Sequence, residues 1–287
     1  MSVAKTLVDY GSLVRLSHTV FALPFALAAV VLASPYAEVT VEKVLLIVLC
    51  IAAARTAAMG FNRLVDRDID AKNPRTRDRE LPRGALSVAS VRALVIVSCL
   101  VFVAGAARLG KLPLYLSPPT LALALGYSYA KRFTALCHII LGFAVALAPG
   151  GAWIALGAEV TLAPWLLVIG VATWVAGFDV LYALQDQAFD KEERLFSIPA
   201  ALGVRGALMV SGLLHVATVA CFIGVGTVLG RGVAYMVGVG IIALLLIVEH
   251  SMVRPSDISK LNRAFFDLNG YVSVAFLICV GIDQLLR

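Results

Sequence analysis

Long, uninterrupted apolar runs constrain this chain more than any other feature. Nine stand out, centred near residues 27, 52, 98, 121, 145, 172, 216, 241 and 277. A bilayer core of ~30 Å takes about 20 consecutive apolar residues in a helix. The runs are of that kind, and they lack the period-two alternation of a transmembrane strand. With 61% of 287 residues hydrophobic and a mean hydropathy of +0.93, no room is left for a separate soluble domain. The expectation is an all-α, polytopic membrane bundle of nine transmembrane helices, with residues 1–287 forming a single domain. "HTVFALPFALAAVVLASPYA" reads as a retained first span and not as a signal peptide cut near Ala37, because eight more runs follow it. Cys50, Cys99, Cys137, Cys221 and Cys279 lie in or beside apolar runs without C-x-x-C spacing, so they read as packing residues.

The net charge of +6 gains meaning once it is placed on loops. One side carries Lys5, Arg15, Arg67, Lys72, Arg75, Arg77, Arg79, Arg83, Arg92, Lys131, Arg132, Lys191, Arg194, Arg205, Arg254, Lys260 and Arg263. The other holds Lys43, Arg108, Lys111, Arg231 and Arg287. The positive-inside rule makes the first side cytoplasmic, with the N-terminus inside. Membrane orientation and contact with anionic lipid account for much of the basic surplus, which therefore does not call for nucleic acid.

On that cytoplasmic side the second run ends in "GFNRLVDRDIDAKNPRTRDRELPRG". At about 100° per residue, Arg55, Asn62, Asp66 and Asp70 share one helix face, whereas Asp68 points away from it. The sixth run ends in "GFDVLYALQDQAFDKEERLFSIPAALG". There Asp179, Asp186 and Asp190 follow at spacings of seven and four, again one face, with Tyr182 beside them. Gly60-Phe61-Asn62 and Gly177-Phe178-Asp179 match, a faint sign of an internal repeat. Arg55 and Asp179 fall at membrane depth, where a charge is costly unless it faces a polar cavity or a partner.

Carboxylates and an amide oxygen are hard ligands suited to Mg²⁺, which takes one or two carboxylates and completes its shell with water and substrate phosphate. Arg75 and Arg79, and Lys131 with Arg132 in another loop, supply cations that a diphosphate requires. The chemistry implied is a metal-bound diphosphate at the membrane surface, attached to an apolar tail. A transporter also carries intramembrane charge and internal repeats, but its site lies near the midplane, and these carboxylates gather at one interface.

These residues resemble the UbiA superfamily of intramembrane prenyltransferases. Asn62, Asp66 and Asp70 fit its N-x-x-x-D-x-x-x-D motif. Asp179, Tyr182, Asp186 and Asp190 fit its D-x-x-Y-x-x-x-D-x-x-x-D motif, and "YSYAKRFT" fits its Y-x-x-x-K loop as Tyr127 and Lys131. Arg63 stands where many members carry an aspartate, which leaves Asn62 and Asp66 as the metal positions expected there. "RLSHTVFALPFAL" and "NRLVDRDIDAKNPRTRDRELPRG" look most like the 4-hydroxybenzoate polyprenyltransferase branch, which includes relatives that prenylate a dihydroxynaphthoate in a menaquinone route.

The resemblance implies Mg²⁺-dependent transfer of a polyprenyl group from polyprenyl diphosphate to an aromatic acid. The enzyme would sit in the cytoplasmic membrane of a bacterium or archaeon, with its active site facing the cytoplasm. Asn62, Asp66, Asp70, Asp186 and Asp190 would hold metal, and Arg75, Arg79 and Lys131 would clamp the diphosphate. Asp179 would stabilise the allylic cation or orient the phenol, and Tyr127 and Tyr182 would line the substrate. Arg132 or Arg55 would hold the acceptor's carboxylate, although Arg55 pairing structurally with Asp179 is an equal expectation. His18, beside Arg15 and Ser17, reads as an interfacial residue bonded to backbone, as do His138, His215 and His250.

Overall fold

The computed structural model describes residues 3–14, 19–253 and 267–287, apart from the side chains of 3–7, 19 and 20. Arg15, Ser17, His18, Arg254, Lys260 and Arg263 lie outside the described residues, as does the side chain of Lys5. Among the described residues the chain is all-helical. The helices are α1 (Val3–Leu13), α2 (Thr19–Ala33), α3 (Val41–Lys72), α4 (Val88–Leu109), α5 (Lys111–Ala130), α6 (Cys137–Leu156), α7 (Leu162–Tyr182), α8 (Gln187–Glu192), α9 (Ile198–Val228), α10 (Val233–Met252) and α11 (Asn269–Leu285). Every expected span centre falls within a helix. Among the described residues six segments are long and apolar enough to cross a bilayer, namely α3, α4, α6, α7 continued to Glu192, α9 and α10. Two further apolar helices, Phe21–Ala33 and Asn269–Leu285, are shorter.

The chain divides into two compact units, and the first comprises Met1–Thr19 and Glu42–Tyr129. Its long element is α3, whose 32 residues span about 48 Å at 1.5 Å per residue. That exceeds a ~30 Å hydrocarbon core, so a helix entering at Val41 carries its acidic C-terminal end past the apolar layer. α4 packs closely along it. A Cβ on Gly60 would stand 2.8 Å from Val95 Cγ2, so only glycine permits this approach. Ser87 caps α4 by accepting from Ser90 N at 3.1 Å. α1 buries Leu13 against Leu81, Leu86 and Val91. It also holds the segment after α3 through Arg83 Nη2–Asp9 Oδ1 and Ser12 Oγ–Glu80 Oε1, each at 2.5 Å.

The second unit comprises Val20–Val41 and Ala130–Arg287. α7 is its axis, buried on nearly all sides, as an apolar-all-round helix must be. Trp174 of α7 meets Phe25 of α2 at 4.9 Å between ring centroids, and Phe222 of α9 meets Phe276 of α11 at 4.7 Å. Gly177 lets α9 come close, since a Cβ there would lie 2.4 Å from the His215 ring. Polar groups in this apolar interior bond one another. Trp174 Nε1 donates to Asn269 Oδ1 at 2.9 Å, and Asn269 Nδ2 donates to Glu249 Oε1 at 2.7 Å. His215 keeps the backbone contact expected of it, at Trp174, and also meets His250 side chain to side chain at 3.0 Å.

Candidate active site

Two acidic clusters emerge, one in each unit. In the first, Asp66 and Asp70 are 3% and 4% exposed, while the Asp68 side chain is 83% exposed. The helical period alone separates them, since α3 runs unbroken through all three. Asn62 Nδ2 donates to Asp66 Oδ2 one turn on, at 3.0 Å. Arg79 returns from the following loop and sets Nη1 2.7 and 2.8 Å from the two Asp70 oxygens. Thr76 Oγ1 donates to the Asp70 carbonyl at 3.1 Å, satisfying an orphan acceptor at the helix end. The two arginines of the expected clamp therefore differ. Arg79 is drawn onto Asp70, whereas Arg75 stands exposed, its backbone N–H donating to Asn73 Oδ1 at 2.9 Å. Higher on α3, Arg55 is half-buried, with Tyr127 of α5 as an electrostatic neighbour.

In the second unit the stripe expected as one helix face is interrupted. α7 ends at Tyr182, and a 3₁₀ turn, Ala183–Asp186, leads into α8. A 3₁₀ turn advances about 120° per residue instead of 100°, so four residues of it rotate the downstream carboxylates by roughly 80°. Asp179 takes His138 as partner, with Nδ1 to Oδ2 at 2.7 Å. Asp190 accepts from the Ser197 side chain, with Asp186 and Lys131 close enough to act on its charge. Asp186, Asp190, Tyr182, Lys131 and Arg132 are all half-buried.

Backbone pairing brings these pieces together. Phe196 N donates to the Lys131 carbonyl at 2.7 Å and Ile198 N to His138 Nε2 at 3.3 Å, lacing the segment before α6 to the one before α9. His138 thus makes the backbone contact expected of it, and its bond to Asp179 is what sequence reasoning missed. Its one signal was position, a polar ring in the first turn of an apolar span, where a partner is obligatory.

Among the described residues no three His, Cys, Asp or Glu side chains gather around a point, as a fully protein-built metal cage needs. Each cluster instead offers a carboxylate pair, Asp66 with Asp70 or Asp186 with Asp190. That is the donor set Mg²⁺ uses when substrate phosphate completes its shell. The Asp70 oxygens, each accepting from Arg79, retain lone pairs for a cation. The residues fit the ion.

The sequence model of the UbiA prenyltransferase family matches residues 22–272. A 4-hydroxybenzoate octaprenyltransferase of Xanthomonas campestris pv. campestris (strain B100) is 32% identical over 233 residues, covering 81% of this chain and 77% of that protein. The apo structure of a UbiA homologue from Aeropyrum pernix K1 superposes with a TM-score of 0.83 at 35% identity, over 94% of this chain and 97% of that one. A UbiA homologue from Archaeoglobus fulgidus, bound to DMAPP and Mg²⁺, shares the fold at a TM-score of 0.75 and 20% identity, over 97% of this chain and 100% of that one.

Proposed function

The chain belongs to the UbiA prenyltransferase family, and we propose that it transfers a polyprenyl group from polyprenyl diphosphate to an aromatic acid of the 4-hydroxybenzoate type. The observation that carries this reading is the pair of oxygen-donor clusters, Asn62–Asp66–Asp70 and Asp179–Asp186–Asp190, each with its own cations. The name of the Xanthomonas relative supports the acceptor class, and the DMAPP and Mg²⁺ of the Archaeoglobus protein support the donor and the metal.

In this reading Asn62, Asp66 and Asp70 on α3, and Asp186 and Asp190 around the start of α8, would hold Mg²⁺. When bound, the ion neutralises the charge that builds on the departing diphosphate. Arg75, Arg79 and Lys131 add fixed positive charge for the same oxygens, and Tyr127 and Tyr182 offer hydroxyls. The allylic C–O bond breaks, with its electron pair leaving on the diphosphate. A ring carbon ortho to the acceptor's hydroxyl forms the new C–C bond, and a base, water or the released diphosphate, takes the proton from that carbon. Asp179 accepts a hydrogen bond from the hydroxyl, which raises electron density at the ortho position. Arg55 or Arg132 holds the acceptor's carboxylate.

Residues 1–287 act as one integral-membrane domain of nine spans in a bacterial or archaeal cytoplasmic membrane, with the N-terminus and the active site on the cytoplasmic side. Single-cysteine labelling in right-side-out and inverted vesicles tests that topology. Positions 77 and 194 should label from the cytoplasm and 159 from outside, and labelling of 77 and 159 from one side refutes it. The function is tested by incubating purified protein with Mg²⁺, geranyl diphosphate and a panel of hydroxybenzoates and dihydroxynaphthoates, then weighing products by mass spectrometry. A geranylated hydroxybenzoate is expected. Turnover of a naphthoate alone moves the acceptor to the menaquinone class, and no product from any acceptor refutes aromatic prenylation.

A further inference from the structure

We infer that His138 is a positioning residue for Asp179, a neutral imidazole whose single ring proton on Nδ1 aims the Asp179 carboxylate at the acceptor's hydroxyl. The role in catalysis rests on the prenyl-transfer reading above, while the state of the ring does not. Two contacts fix that state. Ile198 N–H lies 3.3 Å from Nε2 with its hydrogen directed at the ring, and a backbone amide can only donate. Nε2 is therefore the unprotonated nitrogen. The remaining proton sits on Nδ1, 2.7 Å from Asp179 Oδ2, and makes a charge-assisted hydrogen bond to the carboxylate.

The fold supplies both anchors. Ile198 is the first residue of α9, so its amide is one of the donors that no helical carbonyl can satisfy. Ser197 Oγ, the N-cap, is occupied at Ala200 N at 3.2 Å, and His138 takes the amide at Ile198. The ring is thus pinned from a helix start on one edge and presents its donor to α7 on the other. Burial divides the labour. The His138 side chain is 4% exposed and the Asp179 side chain 24%. The imidazole lies behind the carboxylate and has no open surface of its own to offer a substrate. It acts through Asp179.

The test joins a direct reading of the ring to a kinetic one. In ¹⁵N-histidine-labelled protein in nanodiscs, the His138 signals are those absent from H138Q. They should show a protonated Nδ1 and an unprotonated Nε2, and in D179N the Nδ1 proton should move upfield. A ring protonated on Nε2, or on both nitrogens, overturns the assignment. In the transfer assay, H138L should lower kcat ten- to a hundredfold with KM for geranyl diphosphate unchanged within twofold. H138Q, which keeps a donor and an acceptor on one amide, should recover most of that loss. An H138L enzyme with full kcat, or one whose loss is all in the diphosphate KM, refutes the positioning role. Should H138L fail to fold, recovery in H138Q decides in its place. If wild-type protein transfers no prenyl group, the functional reading fails and the NMR result still judges the dyad.

Discussion

Arg75 and Arg79 look equivalent in the sequence, and the structure separates them in a way that can be measured. Arg79 Nη1 sits 2.7 and 2.8 Å from the two Asp70 oxygens, with the side chains only 18% and 5% exposed. Removing one partner of a buried ion pair costs about 3–5 kcal/mol, because the other charge stays buried and uncompensated. Arg79 is partly open, so the lower end applies, about 3 kcal/mol, or roughly a hundredfold in the folding equilibrium. Arg79→Ala should lose that stability in reversible unfolding from detergent micelles. Asp70→Asn in the same chain should restore most of it by removing the orphaned charge. Arg75 is exposed, so Arg75→Ala should stay within about 0.5 kcal/mol of the parent. It should nevertheless weaken geranyl diphosphate binding in an equilibrium titration by about 1.5–3 kcal/mol, roughly ten- to a hundredfold, for one lost charge-assisted contact. Arg75→Lys should regain only part, since the planar fork is gone. Equal stability for Arg79→Ala and wild type, or no relief from Asp70→Asn, would show that the Arg79–Asp70 pair does not hold the loop.

Three further outcomes are expected. EDTA should abolish prenyl transfer and added Mg²⁺ should restore it, and full turnover in metal-free buffer would sink the carboxylate-held ion. Asp66→Ala should remove nearly all activity. Asp68→Ala should change it less than about twofold, since the exposed Arg67–Asp68 pair contributes little, and the reverse ranking in a rate assay would put the wrong face of α3 in the site. Arg55→Ala should raise KM for the aromatic acid alone if Arg55 holds the acceptor's carboxylate, and a parallel rise in both substrates' KM would return Arg55 to a structural role.

The helices were legible because an apolar run of bilayer length has few alternatives to a helix. The first acidic stripe was legible for a second reason: α3 continues unbroken to Lys72, so a 100° period assigns Asp66 and Asp70 to the buried face and Asp68 to the open one. The same arithmetic failed after Tyr182, because it presumes a continuous α-helix and the chain tightens into a 3₁₀ turn. Gly60-Phe61-Asn62 and Gly177-Phe178-Asp179 share a packing feature. Each glycine admits a neighbouring side chain, Val95 in one unit and His215 in the other, where a Cβ would collide. The chemistry that follows differs. Asn62 bonds Asp66 on its own helix, while Asp179 reaches His138 on another.

That last difference marks where sequence reasoning runs out. A pair at i and i+4 is written in the spacing, but the His138–Asp179 bond joins residues 41 positions apart and is oriented by an amide 60 positions away. Neither separation carries a period. What brings the three together is a backbone event, the Lys131 carbonyl accepting from Phe196, which draws the start of α6 against the start of α9. Once those two helix starts are adjacent, the unsatisfied amide of Ile198 needs an acceptor in an apolar surround, and His138 is the side chain within reach. The same contact fixes which ring nitrogen faces Asp179. The chemistry of the second cluster thus follows from a hydrogen-bond debt at the start of α9. Leucine at position 138 would leave both that amide and Asp179 Oδ2 without their partner, a double loss that substitution of either contact alone would not produce.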